Sequence, residues 1–158
     1  MIEERKLIYR AGIVPYYLDE NSKQLRMMFM KPSATEYGGD WFQLAKGRVD
    51  DEDVDHKSAA LREGAEELGL FRGNTVFTEE VGVFMGRTTL FVSKIKDVDM
   101  FGMPDSETDS TRWMTLSEFI QDGRPLHKPV VQACYRKICD IEGIVPDSLS
   151  TIDVDNRD

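Results

Sequence analysis

Gly47 to Leu70 reads GRVDDEDVDHKSAALREGAEELGL, and its last nine residues, Arg62-Glu63-Gly64-Ala65-Glu66-Glu67-Leu68-Gly69-Leu70, set three carboxylates and an arginine within six positions. On a helix Glu63, Glu66 and Glu67 stand at i, i+3 and i+4 and share one face. Leu61, Ala65 and Leu68 keep the same period on a second, apolar face that is expected to be buried. Asp55 predicts the N-cap and Gly69 the C-terminal cap of a helix from about His56 to Leu68. Such a helix anchors itself in a core and holds out hard oxygen ligands. Three crowded carboxylates repel one another unless cations neutralise them, and Mg²⁺ is held by one or two carboxylates together with substrate phosphates and water. Arg62, at i, i+4 from Glu66, is placed to steady that side chain. For E-x-x-E-E alone a solvated acidic face is the ordinary explanation, so the decision rests on the complete string.

That string resembles the signature of the Nudix hydrolase family, G-x5-E-x7-R-E-U-x-E-E-x-G-U with U aliphatic. The core R-E-x-x-E-E-x-G-L fits at every fixed position from Arg62 to Leu70. Two departures stand out. Gly47 lies fifteen positions before Arg62, one more than the pattern; counting forward gives Asp53 at the first acidic position, and counting back gives Val54. Gly64 occupies an aliphatic position, at a helix cost of about 1 kcal/mol relative to Ala unless another element approaches there closely. The resemblance implies an α+β fold, an α/β/α sandwich with a mixed β-sheet packed between helices. It also implies Mg²⁺ or Mn²⁺ bound by Glu63, Glu66, Glu67 and the Gly47 carbonyl, with Arg62 orienting the carboxylates.

Working outward, Trp41-Phe42-Gln43-Leu44-Ala45 is expected to be a short strand. It runs into Lys46-Gly47-Arg48-Val49-Asp50, which is similar to the W-x-x-P-K-G-x-V-D run of Nudix enzymes that cut dinucleoside polyphosphates, with Ala45 in place of proline. By that likeness Lys46 and Arg48 meet substrate phosphates. The acids from Asp50 to Asp55 invite comparison with a calcium loop, but His56 and Arg62 stand where that loop needs glycine and a bidentate glutamate. Lys31 to Asp40 is turn chemistry throughout, and Tyr37 is a candidate for stacking on a base.

Lys6 to Leu18 reads as a strand, with Pro15 limiting its pairing and Gly12 hinting at a bulge. The apolar run Leu25 to Met30 reads as a buried strand completing a hairpin. Asn74 to Met85 and Arg87 to Ile95 predict two more strands, Asp97 to Ser110 a long acidic loop, and Thr111 to Met114 a short strand. Leu116 to Gln121 and Lys128 to Ile141 predict helices. Nudix proteins often carry an acidic residue ahead of such a W-x-x-L-x-E-F segment, near the metals, and Glu107 is that candidate. His127 reads as a surface or capping residue. The expected organisation is one domain, 1–146, followed by a polar tail, 147–158.

With 158 residues and 41% hydrophobic content the chain has enough material for one proper core. A net charge of −9 argues against an extended nucleic-acid partner and leaves a small phosphorylated molecule as the expected one. No apolar run approaches a membrane span, the N-terminus Met-Ile-Glu-Glu-Arg-Lys has no signal core, and Cys134 and Cys139 match no metal spacing, so a cytoplasmic protein without a membrane partner is expected. The resemblance implies metal-dependent hydrolysis of a diphosphate bond in a nucleoside diphosphate derivative, either a dinucleoside polyphosphate or an ADP-ribose-like compound. The general base lies among Glu63, Glu66 and Glu107. The alternatives are a diphosphoinositol polyphosphate hydrolase, for which so acidic a chain supplies few cations, and a non-catalytic nucleotide-binding module.

Overall fold

A computed structural model describes residues 7–33 and 40–150. The order of elements is β1 (Arg10–Leu18), β2 (Leu25–Pro32), β3 (Ala45–Arg48), α1 (His56–Leu68), β4 (Thr75–Phe84), β5 (Thr88–Ile95), β6 (Thr108–Met114), α2 (Leu116–Asp122) and α3 (Lys128–Glu142). The six strands form one mixed sheet in the order β4-β5-β1-β2-β6, with β3 paired to β1. Helices cover both faces, giving the α/β/α sandwich.

Strand alternation sorts side chains between two cores. Val14, Tyr16, Met27, Phe29, Leu90 and Val92 pack toward α2 and α3. Ala11, Ile13, Met28, Met30, Phe91 and Ile95 pack toward α1. The continuous apolar run of β2 is therefore buried on both faces, as its composition predicts. Among the described residues no helix is long and apolar enough to cross a membrane.

Strand β1 changes partner partway along. Arg10 to Ile13 pair antiparallel with β3, and Tyr16 to Leu18 pair antiparallel with β2, while the opposite edge runs parallel to β5 from Arg10 to Tyr16. Pro15 falls at this fork, where a residue without an N–H is tolerated. Gly12 makes no bulge: it lies in register with Lys46, and a Cβ there would stand 2.7 Å from the Ala45 carbonyl oxygen, so the glycine permits close approach of β3. The strand expected over Trp41 to Ala45 instead begins at Ala45, because that is where β1 is available to pair. Phe42 and Gln43 make single bridges to Gly123 and Met30 across the fork.

The other boundaries follow the sequence closely, with β6 starting earlier, at Thr108, and shortening the acidic loop. The expected first strand starts at Arg10, and Met1 to Lys6 lie outside the described residues. Ser148–Ser150 form one 3-10 turn, and the Leu149 carbonyl accepts a 2.7 Å hydrogen bond from Gln132 on α3.

Candidate active site

Helix α1 has the predicted limits. The Asp55 carboxylate accepts from the Ser58 N–H at 2.7 Å, and Gly69, in the left-handed region at φ 76°, returns its N–H to the Ala65 carbonyl. Its buried face differs by one position from the expected one: Ala60, Leu61, Gly64 and Leu68 are buried, whereas Ala65 is exposed. Gly64 accounts for this. A Cβ there would meet Ile13 Cγ2 at 2.9 Å, so the helix lies against β1 with the glycine at the contact, and the face turns toward that line. Burying Leu61 and Leu68 contributes about 1.5–3 kcal/mol each.

This rotation also decides where the glutamates go. Glu63, adjacent to Gly64, is carried under the helix and is 7% exposed, Glu67 is half-buried, and Glu66 turns to solvent. The expected cluster of three is therefore an inner pair plus one outer carboxylate. Among the described residues no three acidic, histidine or cysteine side chains converge on a common point. The Glu63 and Glu67 carboxyls adjoin, and burial together with the charge on Glu63 pushes the Glu67 carboxyl up to about 8. The Lys46 backbone N–H donates to Glu67 Oε1 at 3.1 Å. Gly47 leaves the space that Glu63 fills, since a Cβ there would coincide with the Glu63 carboxylate. These residues fit a divalent cation: one buried and one half-buried carboxylate meet beside a backbone with no side chain, and a hard cation offsets their repulsion.

Arg62 is the hub that holds this geometry. Its Nε and Nη2 form a bidentate pair with Asp53 at 3.1 and 2.9 Å, its Nη1 donates to Glu63 Oε2 at 2.8 Å and to Glu66 at 3.4 Å, and Nη2 also reaches the Arg48 carbonyl at 2.8 Å. Asp53 is thus the acidic residue of the longer loop, and the hydrogen bonds hold its carboxyl below the usual range. Val54 is 91% exposed. The additional residue lies after Asp53, and the turn is closed by Asp53 N–H to the Asp50 carbonyl and Asp50 N–H to Asp53 Oδ2.

A cleft of about 450 Å³ opens at the fork of β1 and is lined by Gln43, Lys46, Glu67, Glu107 and Arg124, with Met30 among the apolar residues. It joins three residues expected from the sequence, Lys46, Glu67 and Glu107. Glu107 sits in a loop pinned to the end of α1, where the Glu66 carbonyl accepts from Asp105 N–H and the Glu67 carbonyl from Thr108 Oγ1. Those bonds satisfy helix-end carbonyls that have no partner within the helix. Arg48 stands elsewhere, in a recess of about 530 Å³ with Tyr9, Val49 and His56. Tyr37 lies outside the described residues.

His127 takes the N-cap position of α3 without a side-chain cap bond, and the surface half of its reading is corrected. It is fully buried, and its Nδ1 accepts from Leu44 N–H at 3.2 Å, which leaves the proton of the neutral ring on Nε2, without a hydrogen-bond partner among the described residues. Burial, reinforced by the charges of Lys46 and Arg124, pushes the imidazole down to about 3. Burial also holds the Lys46 ammonium below the lysine range, with the charges of Arg10 and Arg124 adding to the effect. Sequence reasoning missed Arg124, whose only local signal is turn chemistry at Asp122-Gly123-Arg124-Pro125, and Gln43, which was read only as part of a strand.

The family model for the NUDIX domain matches residues 9–134. Among solved structures, an Ap4A hydrolase from C. elegans in a binary complex is similar at 17% identity and a TM-score of 0.65, covering 85% of this chain and 99% of that one. The NUDIX domain of Shewanella oneidensis NrtR complexed with ADP ribose is similar at 13% identity and a TM-score of 0.68, covering 85% and 90%. NrtR complexed with a 27mer DNA aligns at 12% identity and a TM-score of 0.65 over 84% of this chain and 62% of its own. At such identities the likeness is one of fold. No curated protein matches in sequence.

Proposed function

This chain belongs to the Nudix family of pyrophosphohydrolases, whose members generally use divalent metal ions, and from that premise we propose that it hydrolyses a diphosphate bond in a nucleoside diphosphate derivative, a dinucleoside polyphosphate or an ADP-ribose-like compound. The observation that carries the proposal is the meeting of Glu67, Glu107 and Lys46 in one cleft. They come from three separate parts of the chain.

In this reading Glu63, Glu67 and the Gly47 carbonyl, with Glu66 approaching from the solvent side, would hold Mg²⁺ or Mn²⁺, which when bound would neutralise diphosphate charge and make a water more acidic. Arg62 acts as a positioning residue, locking Glu63 from one side while Gly47 leaves room on the other. Lys46 brings an ammonium to the phosphates. Glu107, exposed on the cleft wall and unpaired with any cation among the described residues, receives the proton of the attacking water. Arg48 contacts substrate only where it extends beyond the cleft, toward the second recess. Cys134 and Cys139 are free and buried, which supports a reducing cytoplasmic location.

The test is to incubate the protein with diadenosine polyphosphates, ADP-ribose and a diphosphoinositol polyphosphate, each with Mg²⁺ and with Mn²⁺, and to identify products by mass. Cleavage between phosphates in a nucleotide is the expected result. No product with either metal would falsify the proposal, and cleavage of the inositol compound alone would redirect it.

A further inference from the structure

The cleft has an acidic wall and a basic wall, and the proposed mechanism uses only part of the basic one. Arg124 sits in the two-residue link between α2 and the 3-10 turn before α3, and that link is held tightly. The Arg124 N–H donates to the Phe42 carbonyl at 2.8 Å, Phe42 N–H donates to the Asp122 carbonyl at 3.2 Å, and Gly123 N–H returns to the Phe119 carbonyl at 2.6 Å. A Cβ on Gly123 would overlap the Phe119 ring, so the link packs directly on the core. From this support Arg124 Nη1 donates to the Gln43 side-chain oxygen at 3.0 Å. A neutral, buried amide thus orients the guanidinium, and no carboxylate pairs with it among the described residues.

In a chain with 29 acidic and 20 basic residues, a half-buried arginine without an acid partner is poorly neutralised. Lys46, in the same cleft, is also half-buried without an ion pair among the described residues. One metal-neutralised diphosphate needs few of these cations, whereas a longer phosphate chain needs more. Net charge does not argue against this, because a recognition site depends on local charge.

We propose that Arg124, next to Lys46 in the cleft, forms a phosphate subsite beyond the bond that is cut and is the specificity-determining residue that makes the preferred substrate one bearing three or more contiguous phosphates. This rests on the reading of the chain as a diphosphate hydrolase, so its test begins with binding alone. Calorimetry on the full chain in EDTA compares inorganic tripolyphosphate with pyrophosphate. Wild type is expected to bind tripolyphosphate about tenfold more tightly, Arg124→Gln to erase that preference, and Arg124→Lys to keep part of it. Thermal melting of each variant checks that it is folded.

A second comparison takes the ratio of kcat/KM for diadenosine tetraphosphate to that for ADP-ribose, which is expected to fall about tenfold in Arg124→Gln, mainly through KM. Equal or absent binding of the two anions by wild type, or a preference unchanged in Arg124→Gln, overturns the subsite. A tripolyphosphate preference without turnover of any substrate keeps the subsite and overturns the hydrolase reading instead.

Discussion

The two walls of the cleft were assembled in different ways. The acidic wall comes mainly from one helix, in which Glu63 and Glu67 are four residues apart and Arg62 is their neighbour, with Glu107 added from the loop before β6. The basic wall takes Lys46 from β3 and Arg124 from a link between helices, and it is backed by His127 at the start of α3. Helical spacing specifies the first wall in advance, whereas the second exists only once β1 has forked and α3 has packed. The contrast separates chemistry written locally from recognition written by the fold.

The largest effect expected on the acidic wall is from Glu67→Gln and Glu66→Gln, each lowering turnover by about 100-fold or more while thermal melting shows a folded protein. Full metal-dependent activity in both would remove the helix from the mechanism. Gly47→Ala places a methyl group on the Glu63 carboxylate and is expected to cost about 1–3 kcal/mol by urea denaturation, with activity falling alongside it.

On the other wall, His127 has a folded pKa pushed down to about 3 from an ordinary value of 6.5. Between those values the unfolded chain binds a proton that the folded chain does not, so this contribution to stability is complete above pH 6.5 and declines as pH falls toward 3. Between pH 7 and pH 5 wild type is expected to lose about 2 kcal/mol more stability than His127→Asn. Equal losses in the two proteins would show that the imidazole is not held neutral. The smallest contrast sits in the loop: Asp53→Ala is expected to cost about 1–2 kcal/mol, through its bidentate bonds to Arg62, and Val54→Ala less than about 0.5 kcal/mol. The reverse order would move the loop's acidic position.

The same division explains what was legible beforehand. The limits of α1, its caps and the carboxylate spacing are local properties, and they hold in the structure. Glu107 was found by resemblance, and the structure brings it to the cleft. Ala65 was misassigned to the buried face because a 3.6-residue period does not reveal which line a glycine will bring against a strand. The β3 strand was placed too early because its start depends on where β1 leaves it a partner. Arg124 carried no usable spacing at all, since its neighbours Gln43 and Lys46 lie far away in the chain and meet it only through packing.

The fork in β1 also bears on when these walls come into being. Arg10 to Tyr16 must pair in parallel with Thr88 to Lys94, a contact of long sequence separation that forms slowly compared with a hairpin or a helix. During synthesis α1 is complete before β5 has been made, so Ala60, Leu61 and Leu68 meet β1 and β2 first and gain Phe91 and Ile95 only later. The sheet that carries the cleft is therefore completed late, and a chain ending before Lys94 lacks part of the parallel partner of β1.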